Sequence, residues 1–477
     1  MNNKKQQNTF LIHDYETFGK NPALDLPAQF AGVRTDSNFN IIEEPLVIYC
    51  RPSDDYLPDP EAVMITGITP QFALARGLSE AKFAKQIHQM FSVPGTCIMG
   101  YNNIRFDDEV TRNIFYRNFY DPYDYIWKNG NSRWDLLDVI RACYALRPEG
   151  INWPCNAEGL PSFKLDHLSK SNGIKHEHAH DAMADVYATI ELAKLVRQAQ
   201  PNLFKFLLEL RNKDKVSELI NIANMKPLVH ISSLFGRARY NTSLVTALEW
   251  HPKYKNTVIT CDLAGDVSQL LTLDEDSMRE RFYRNRIDLN DHQLLPSPLK
   301  LIHINKCPVL APYRTVSYEG YLRLGLDLKS CMYNLQLLCS YPELRKKVIR
   351  VFSSPKPSKA TDNVYDQLYD GLFSDSDRIA MQIIRETLPR DLSRLSIRFE
   401  DKRIVSLLFR YRARNFPETL SDDEEYRWQL HRQRALKPEQ LKIYISRLNK
   451  LSLHYKNDHQ KNIQLKELLE YVQQLVD

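Results

Sequence analysis

The first 200 residues alternate between strand-like and helix-like segments, and this alternation restricts the fold more than any other feature of the sequence. The strand-like segments are TFLIHDYET, QFAGVRTD, PLVIYCRP and TCIMGYN. Helical spacing of apolar residues is found in SEAKFAKQIHQMF, DEVTRNIFYRNFY, DLLDVIRACYAL and DAMADVYATIELAKLVRQA. Strands interleaved with helices favour an α/β layer built on a mixed sheet.

The rest of the chain changes character twice. A helical pattern in LFKFLLELRNKDKVSELI leads, between about Pro227 and Pro312, into short β-branched segments separated by turns, which predicts a small β-barrel with some helix around it. After the polar linker SSPKPSKATDN, apolar residues return at helical spacing. A length of 477 residues suggests about three domains, and we place them at residues 1–200, 201–354 and 355–477.

The composition is that of an ordinary globular protein. Hydrophobic residues make up 43% of the chain and charged residues 26%, which excludes collagen-like and wholly disordered proteins. Lys and Arg (64) exceed Asp and Glu (59) by only 5, so any surface for nucleic acid must come from local clustering of charge. The 8 cysteines form no CxxC pair, which argues against a zinc ribbon and a disulfide framework. With no long apolar run, we expect a cytoplasmic protein without a membrane anchor.

Two carboxylates stand at the end of the first predicted strand. Asp14 and Glu16 are two residues apart and lie on one face of the sheet, where like charges raise each other's pKa unless a cation neutralises them. Asp107 follows the fourth predicted strand at the start of a helix, a position where an acidic residue also serves as a cap. Taken alone, each motif has an ordinary explanation, either a solvated strand end or a helix cap.

A third group of polar residues lies in HDAMAD, at the start of a predicted helix. Asp181 and Asp185 are one turn apart on one helix face, and His180 directly precedes them. A histidine near a helix start is more often structural than catalytic, but this one accompanies acidic residues that have no obvious ion-pair partner in the sequence. The three groups together predict a hard, oxygen-rich site for Mg²⁺ or Mn²⁺, with the histidine as a general base.

The motifs DYE, NNIRFD and HDAMAD resemble the three exonuclease motifs of the DEDDh superfamily, and the chain as a whole resembles bacterial exonuclease I. Matching stretches include HDYETFG, YNNIRFDDEVTRNIFYRNFYDPY and DKRIVSLLFRYRARNFPETL. The resemblance implies an α/β ribonuclease H-like exonuclease domain with a mixed sheet, an SH3-like β-barrel domain and a helical C-terminal domain. It also implies processive removal of 5′-mononucleotides from the 3′ end of single-stranded DNA, in DNA repair or recombination.

The resemblance also assigns catalytic roles. Three carboxylates would hold two Mg²⁺ ions, which Mn²⁺ can replace, a fourth carboxylate would complete the acidic set, and a histidine would take the proton of the attacking water. The three metal-binding carboxylates would be Asp14, Glu16 and Asp185. The fourth carboxylate would be Asp107, and the histidine would be His180. Physical reasoning leaves Asp181 open, and the family pattern favours a helix cap or a supporting group for it.

Basic and aromatic residues between the second and third motifs provide the groups that bind a single strand, cations for phosphates and rings for bases. An aromatic-rich helix is usually core, which is the simpler interpretation of Phe115, Phe119 and Tyr120. Large rings are harder to explain by burial in the polar segment DPYDYIWKNGNSRW. The resemblance implies substrate contacts by Glu16, Lys164, Arg112, Tyr123, Trp127 and Arg141.

Basic residues recur far from this segment, in FRYRARNF and RWQLHRQRALK. A solvated helix face is the default interpretation of such runs. The alternative, implied by the family, is that they line a groove for DNA.

The resemblance further implies a protein partner, the acidic C-terminal tail of the single-stranded-DNA-binding protein. Arg147 in LRPEG and Lys226 in NMKPLVH match the basic pocket for this tail, and Phe206 stands where a tyrosine is expected. The ordinary interpretation of each residue is a surface charge or a packing ring. No repeat or coiled-coil pattern is present, and we expect a monomer.

Two other functions remain open at this point, an RNA-trimming relative and a nucleic-acid-binding scaffold that has lost catalysis. RNA-trimming members are generally much shorter and lack the two added domains. A decayed site usually loses at least one of its ligands, whereas every acidic motif residue and His180 are present. We therefore favour a DNA exonuclease.

Overall fold

The amino-terminal part of the chain folds as strands interleaved with helices. The structure, a computed structural model, describes residues 8–177, 180–283, 296–354 and 361–476. Up to residue 200 the strands are β1 (Thr9–Thr17), β2 (Pro27–Thr35), β3 (Leu46–Tyr49), β4 (Thr96–Gly100) and β5 (Ser132–Asp135). The helices are α1 (Pro60–Thr66), α2 (Pro70–Arg76), α3 (Glu80–Phe91), α4 (Asp107–Arg117), α5 (Leu136–Leu146), α6 (Leu165–Ser171) and α7 (Ala182–Ala199).

The chain forms two units, and each is assembled from segments distant in sequence. The first unit contains the described residues of Met1–Ser132, His176–Ile190 and Ala360–Asp477. The second contains those of Arg133–Lys175 and Glu191–Lys359. The domain boundaries expected at residues 200 and 354 stay a prediction.

The sheet of the first unit is mixed, as the alternating pattern predicts. Its strands follow the order β3-β2-β1-β4, with β1 antiparallel to β2 and parallel to β4. Leu11, Tyr15 and Phe30 project from β1 and β2 into a core that α3 and α4 complete with Phe83 and Ile114. β1 thus lies inside the sheet, with buried side chains before its acidic end.

The middle of the chain contains a second sheet. Its five strands follow the order β10-β6-β7-β8-β9, and all of their pairings are antiparallel. The predicted β-rich middle segment is confirmed. The elements are α8 (Pro201–Glu209), α9 (Lys213–Leu219), β6 (Leu228–Ile231), β7 (Thr242–Trp250), β8 (Thr257–Asp262), α10 (Ser268–Thr272), α11 (Glu275–Tyr283), β9 (Leu299–His303), β10 (Val309–Pro312), α12 (Tyr318–Arg323), α13 (Leu328–Cys339) and α14 (Leu344–Ser353).

Two details of the predicted helices were wrong in this region. The segment LFKFLLELRNKDKVSELI is two helices, because the side chain of Asn212 caps the start of α9 by accepting a hydrogen bond from the Asp214 N–H. Helical structure also returns at Tyr318, well before the expected residue 355. Part of the predicted linker, residues 355–360, lies outside the described residues.

The carboxyl-terminal part is helical, as predicted. Its helices are α15 (Asp375–Glu386), α16 (Lys402–Asn415), α17 (Asp422–Ala435), α18 (Pro438–His454) and α19 (His459–Val476). Apolar side chains of α18 and α19, such as Leu448, Leu465 and Leu468, pack with Val63 of α1. Ser421 and Glu424 form a capping box that begins α17. Among the described residues, no helix combines the length and apolar character needed to cross a membrane.

Arg412 and Arg414 of the RYRAR segment in α16 have side chains only 5% and 10% exposed, so a solvated helix face does not describe them. Arg412 pairs with Glu424, and Arg414 donates a hydrogen bond to Asp55 across 2.8 Å. The Asp55 side chain is 2% exposed and also lies 3.0 Å from Nε2 of His431. Although burial alone would raise the pKa of Asp55, the charge of Arg414 and hydrogen bonds from His431, Arg414 and Ser53 hold it well below its usual range.

We expect Asp55→Asn to lower the free energy of unfolding by about 3–5 kcal/mol, because the change leaves the buried Arg414 guanidinium without its counter-charge. The depressed pKa also sets the pH dependence of this contribution. The contribution should be complete above the ordinary carboxyl pKa of about 3.9 and should be lost as the pH falls toward the pKa of the folded state. Urea unfolding at pH 7 and at lower pH measures both effects.

Asp54→Asn is the matched control for this prediction. Asp54 is the neighbouring residue, and its half-exposed carboxylate pairs with Arg432 across 3.2 Å. An exposed pair of this kind contributes at most about 1 kcal/mol. Equal losses of stability in the two variants would contradict the importance given to the buried pair.

Candidate active site

The carboxylates of the first motif are held by β1. Asp14 is paired in register with Ala31 of β2, and Glu16 with Gln29. Between them, Tyr15 is buried against Phe30, with 5.0 Å between the ring centroids. Burial of Tyr15 on one side of the sheet leaves Asp14 and Glu16 on the other, as the alternation along a strand requires.

Asp107 joins these residues from the start of α4. The helix begins at Asp107, and its N-cap residue is Phe106. Asp107 is therefore not the helix cap, which was the ordinary explanation for an acidic residue at this position. The carboxylate is buried and accepts a hydrogen bond from the backbone N–H of Tyr15 across 3.1 Å. The second motif is thereby tied to the strand that carries the first.

The start of α7 is held by Gln29 of β2, a residue that the sequence analysis missed. Its side-chain amide donates to Oδ2 of Asp181 and accepts from the N–H of Ala182, both across 3.1 Å. Asp181 in turn accepts a hydrogen bond from the N–H of Ala184. Asp181 therefore acts as a cap for α7. Gln29 could have been found from its position opposite Glu16 in the sheet, but that position is known only once the register of β1 and β2 is known.

His180 lies two residues before the start of α7 on an exposed turn, with a φ of 68° that is unusual for a residue other than glycine. Ligand atoms of Glu16, His180 and Asp185 lie within 4.8 Å of one another. Residues from β1 and from the start of α7, far apart in sequence, thus meet at one point. Such a group could hold a metal ion.

Asp185 has a partner that the sequence analysis also missed. Nε2 of His176 lies 2.5 Å from Oδ1 of Asp185. His176 stands in a stretch of alternating histidines, HEHAH, and only its position in the folded chain distinguishes it. Residues 178 and 179 of that stretch lie outside the described residues.

The electrostatics of the site are unfavourable for carboxylates alone. Burial, followed by the charges of Asp107 and Glu16, raises the pKa of Asp14 well above its usual range. Burial and the charge of Asp185 likewise raise the pKa of Glu16. Burial also raises the pKa of Asp185, although the hydrogen bond with His176 opposes the rise. Carboxylate oxygens with one imidazole form a donor set that suits a hard divalent cation such as Mg²⁺ or Mn²⁺.

Three of the residues expected to contact DNA belong to the first unit, which also contains the acidic site. Arg112 is buried, pairs with Glu109 across 2.6 Å and lies over the ring of Tyr123 at 5.7 Å. Tyr123 is partly buried, whereas Trp127 is 64% exposed, which makes its ring available for stacking. Phe115 and Phe119 are completely buried, in agreement with the core interpretation. The structure therefore brings Arg112 and Tyr123 together and places Trp127 at the surface.

The other expected contacts belong to the second unit. Arg141 in α5 pairs with Asp138 across 2.8 Å, and Lys164 is exposed directly before α6. The three residues expected to bind a protein partner are all at least partly exposed. They are Arg147, which donates to the carbonyl of Thr315, Phe206 in α8, and Lys226 before β6.

Three family models match consecutive parts of the chain. A model described as exonuclease matches residues 11–193, one described as exonuclease I SH3-like domain matches residues 211–354, and one described as exonuclease I C-terminal domain matches residues 362–475. The predicted architecture of exonuclease, SH3-like and helical C-terminal domains is confirmed.

Curated relatives extend over the full length. Exodeoxyribonuclease I of Escherichia coli is 59% identical over 476 residues, covering 100% of both chains. Exodeoxyribonuclease I of Haemophilus influenzae is 50% identical over 463 residues, covering 97% of this chain and 98% of the relative. The predicted resemblance is thereby confirmed.

Solved structures agree with these relatives. E. coli exonuclease I in complex with a dA16 oligonucleotide superimposes with a TM-score of 0.96 at 58% identity, over 98% of this chain and 100% of that chain. The zinc-bound form of the E. coli enzyme with single-stranded DNA has a TM-score of 0.95 at 58% identity, over 99% and 100%. A structure of SSB/exonuclease I with the inhibitor CFAM has a TM-score of 0.93 at 57% identity, over 98% and 100%. The chain belongs to the exodeoxyribonuclease I family of metal-dependent exonucleases, which degrade single-stranded DNA from the 3′ end.

Proposed function

We propose that this exonuclease hydrolyses the terminal phosphodiester of single-stranded DNA at the site formed by β1 and the starts of α4 and α7. The observation that carries the proposal is the approach of ligand atoms of Glu16, His180 and Asp185 to within 4.8 Å. Asp14, Glu16 and Asp185 would hold two Mg²⁺ ions, which Mn²⁺ can replace, and Asp107 completes the acidic set. When bound, the ions supply positive charge for the scissile phosphate and a more acidic water.

His180 is the general base of the proposed reaction. Its ring is exposed, so it can approach a water molecule beside the substrate, and it lies next to the carboxylates of Glu16 and Asp185. A ring nitrogen takes a proton from the water as the water oxygen bonds to phosphorus, and the bond from phosphorus to the 3′-oxygen of the preceding nucleotide breaks. The terminal nucleotide is released as a 5′-mononucleotide, and the 3′-oxygen of the shortened strand takes up a proton from solvent. The cap formed by Asp181 and Gln29 holds the turn that carries His180.

The single strand binds through separated groups of cations and rings. Trp127 offers an exposed ring for base stacking, a contact worth about 1–3 kcal/mol per base, and Arg112 with Tyr123 forms a second group. Lys164 and Arg141 add positive charge for phosphates, and Glu16 contacts the terminal nucleotide. Contacts spread over several residues favour processive degradation, in DNA repair or recombination.

A protein partner is a further part of the proposal. The solved SSB/exonuclease I structure supports binding of SSB by this chain as well, and we assign the contact to the acidic SSB tail. Arg147 and Lys226 are exposed cations that would bind the carboxylates of the tail. Phe206 is a partly exposed ring that would add an apolar contact. We also propose domains at residues 1–200, 201–354 and 355–477, with the family-model matches at residues 11–193, 211–354 and 362–475 as support.

We expect Asp14→Ala and Asp185→Ala to reduce turnover by more than about 100-fold, because even residues that only support a metal ligand contribute roughly 10–100-fold. Strand binding should persist in part, since Trp127 and Arg112 are unchanged. Mononucleotide release from labelled single-stranded DNA, duplex DNA and RNA, in Mg²⁺ with and without chelator, measures turnover and substrate preference together.

Glu191→Ala is the control for this experiment, because Glu191 lies on the same helix as Asp185 and its carboxylate pairs with Lys194 at the surface. Its turnover should equal that of the parent protein. Wild-type rates in Asp14→Ala and Asp185→Ala would remove both residues from the metal site. Release from RNA but not from DNA would refute the proposed substrate.

His180→Ala should lower kcat by about 10²–10⁴-fold and leave the KM for DNA nearly unchanged, as expected for a lost general base. Steady-state kinetics on single-stranded DNA separates the two constants. The exposed His454 offers a control, since His454→Ala removes an imidazole from α18 and should preserve both constants. A parallel loss of DNA affinity in His180→Ala would make His180 a binding residue.

Arg147→Ala and Lys226→Ala should each weaken binding of a peptide with the acidic SSB tail sequence, because each removes a cation that faces its carboxylates. Fluorescence anisotropy of a labelled peptide measures the affinity, which should fall further as salt rises. Lys215→Ala is the matched control, since Lys215 is an exposed lysine of the same unit that pairs with Glu218. Unchanged affinity in both Arg147→Ala and Lys226→Ala would refute the proposed pocket.

A further inference from the structure

His176 is a residue of the first unit with a buried side chain, and the proposed reaction has no role for it. Its Nε2 atom lies 2.5 Å from Oδ1 of Asp185, and its side chain is 4% exposed. The other ring nitrogen, Nδ1, is buried and has no hydrogen-bond partner within the described residues. The imidazole is thus directed at a proposed metal ligand.

The direction of this hydrogen bond follows from its chemistry. A carboxylate that binds a divalent cation is ionised and only accepts hydrogen bonds, so in the metal-binding form of the site Nε2 of His176 is the donor. Hydrogen bonds to a carboxylate are shorter and stronger than those between neutral groups. The bond engages Oδ1 of Asp185 and restrains rotation of the carboxylate.

Restraint of Asp185 matters because its neighbours carry the same charge. The charge of Asp185 acts on both Asp14 and Glu16, and repulsion among them would turn an unrestrained carboxylate away. His176 supplies a donor without adding negative charge. It therefore holds Asp185 in the place where its ligand atom lies within 4.8 Å of those of Glu16 and His180.

The same bond acts on the segment that carries the general base. His176 lies four residues before His180, and Asp185 lies in the first turn of α7. The bond between them therefore ties His176, on one side of His180 in the sequence, to the helix on the other side. One contact thus restrains both a metal ligand and the base.

We propose that His176 is a positioning residue that orients Asp185 for binding of a divalent cation, an inference that rests on the proposed role of Asp185 as a metal ligand. Donors that hold metal ligands in this way typically change metal affinity by about 10–100-fold when they are removed. If the hydrogen bond of His176 only stabilised the fold, its removal would lower the melting temperature and leave the metal affinity unchanged.

The test is binding of Mn²⁺ to the full-length protein without DNA, followed by the electron paramagnetic resonance signal of free Mn²⁺. In His176→Gln the side-chain amide nitrogen reaches the position of Nε2, whereas in His176→Asn it reaches only that of Nδ1. We expect the Gln variant to bind Mn²⁺ like the parent protein and the Asn variant to bind about 10–100-fold more weakly. In steady-state assays, added Mn²⁺ should restore the kcat of the Asn variant without a change in the KM for DNA.

Two outcomes would overturn the proposal. The first is parent-like Mn²⁺ affinity in His176→Asn together with a lower melting temperature, which marks a structural tie. The second is an equal loss of affinity in the Gln and Asn variants, because Gln retains the donor. If circular dichroism finds the Asn variant unfolded, His176→Leu, which fills the space without a donor, takes its place.

Two further variants complete the design. His303→Asn is the matched control, since His303 is a partly buried histidine of the second unit with Nδ1 2.9 Å from Oγ1 of Thr257. It should bind Mn²⁺ like the parent protein. Asp185→Ala separates the two proposals: unchanged affinity there refutes the metal role of Asp185, whereas loss there with parent-like binding in His176→Asn refutes only the role of His176.

Discussion

Repulsion among buried carboxylates is the constraint around which the first unit is organised. Burial raises the pKa values of Asp14, Glu16 and Asp185, and neighbouring carboxylates raise those of Asp14 and Glu16 further. Carboxylates gathered in this way lose hydration and disfavour one another, so the cluster alone destabilises the fold. The metal dependence of the family explains why the cluster is kept, because a divalent cation replaces repulsion with coordination.

The groups that hold the carboxylates in place are themselves uncharged or donate hydrogen bonds. The Tyr15 N–H holds Asp107, and Gln29 holds Asp181 and the first residue of α7. These contacts add hydrogen bonds to the site without adding negative charge. The arrangement allows β1, α4 and α7 to approach one another at the end of the central strand, which is where the acidic motifs lie.

Local patterns predicted most of the elements and the residue types of the site. Periodicity depends on neighbours within one strand or helix, so β1, β7 and α16 were recognised from the sequence. The same reasoning joined α8 and α9 into one helix, because apolar spacing continues across Asn212 while its side chain begins a new helix. Burial was harder to predict. Arg412 and Arg414 look like exposed charges in sequence but form buried ion pairs.

The sequence by itself determined the chemistry of this protein, since the acidic motifs, the histidine before α7 and the helix and strand patterns are all local properties of the chain. Only the tertiary structure decided which neighbours orient those groups. Gln29 reaches α7 through the register of β2, and His176 reaches Asp185 through the turn before that helix. Hydrogen bonds of this kind depend on distances of about 3 Å between atoms of separate segments, and packing sets such distances while periodicity does not.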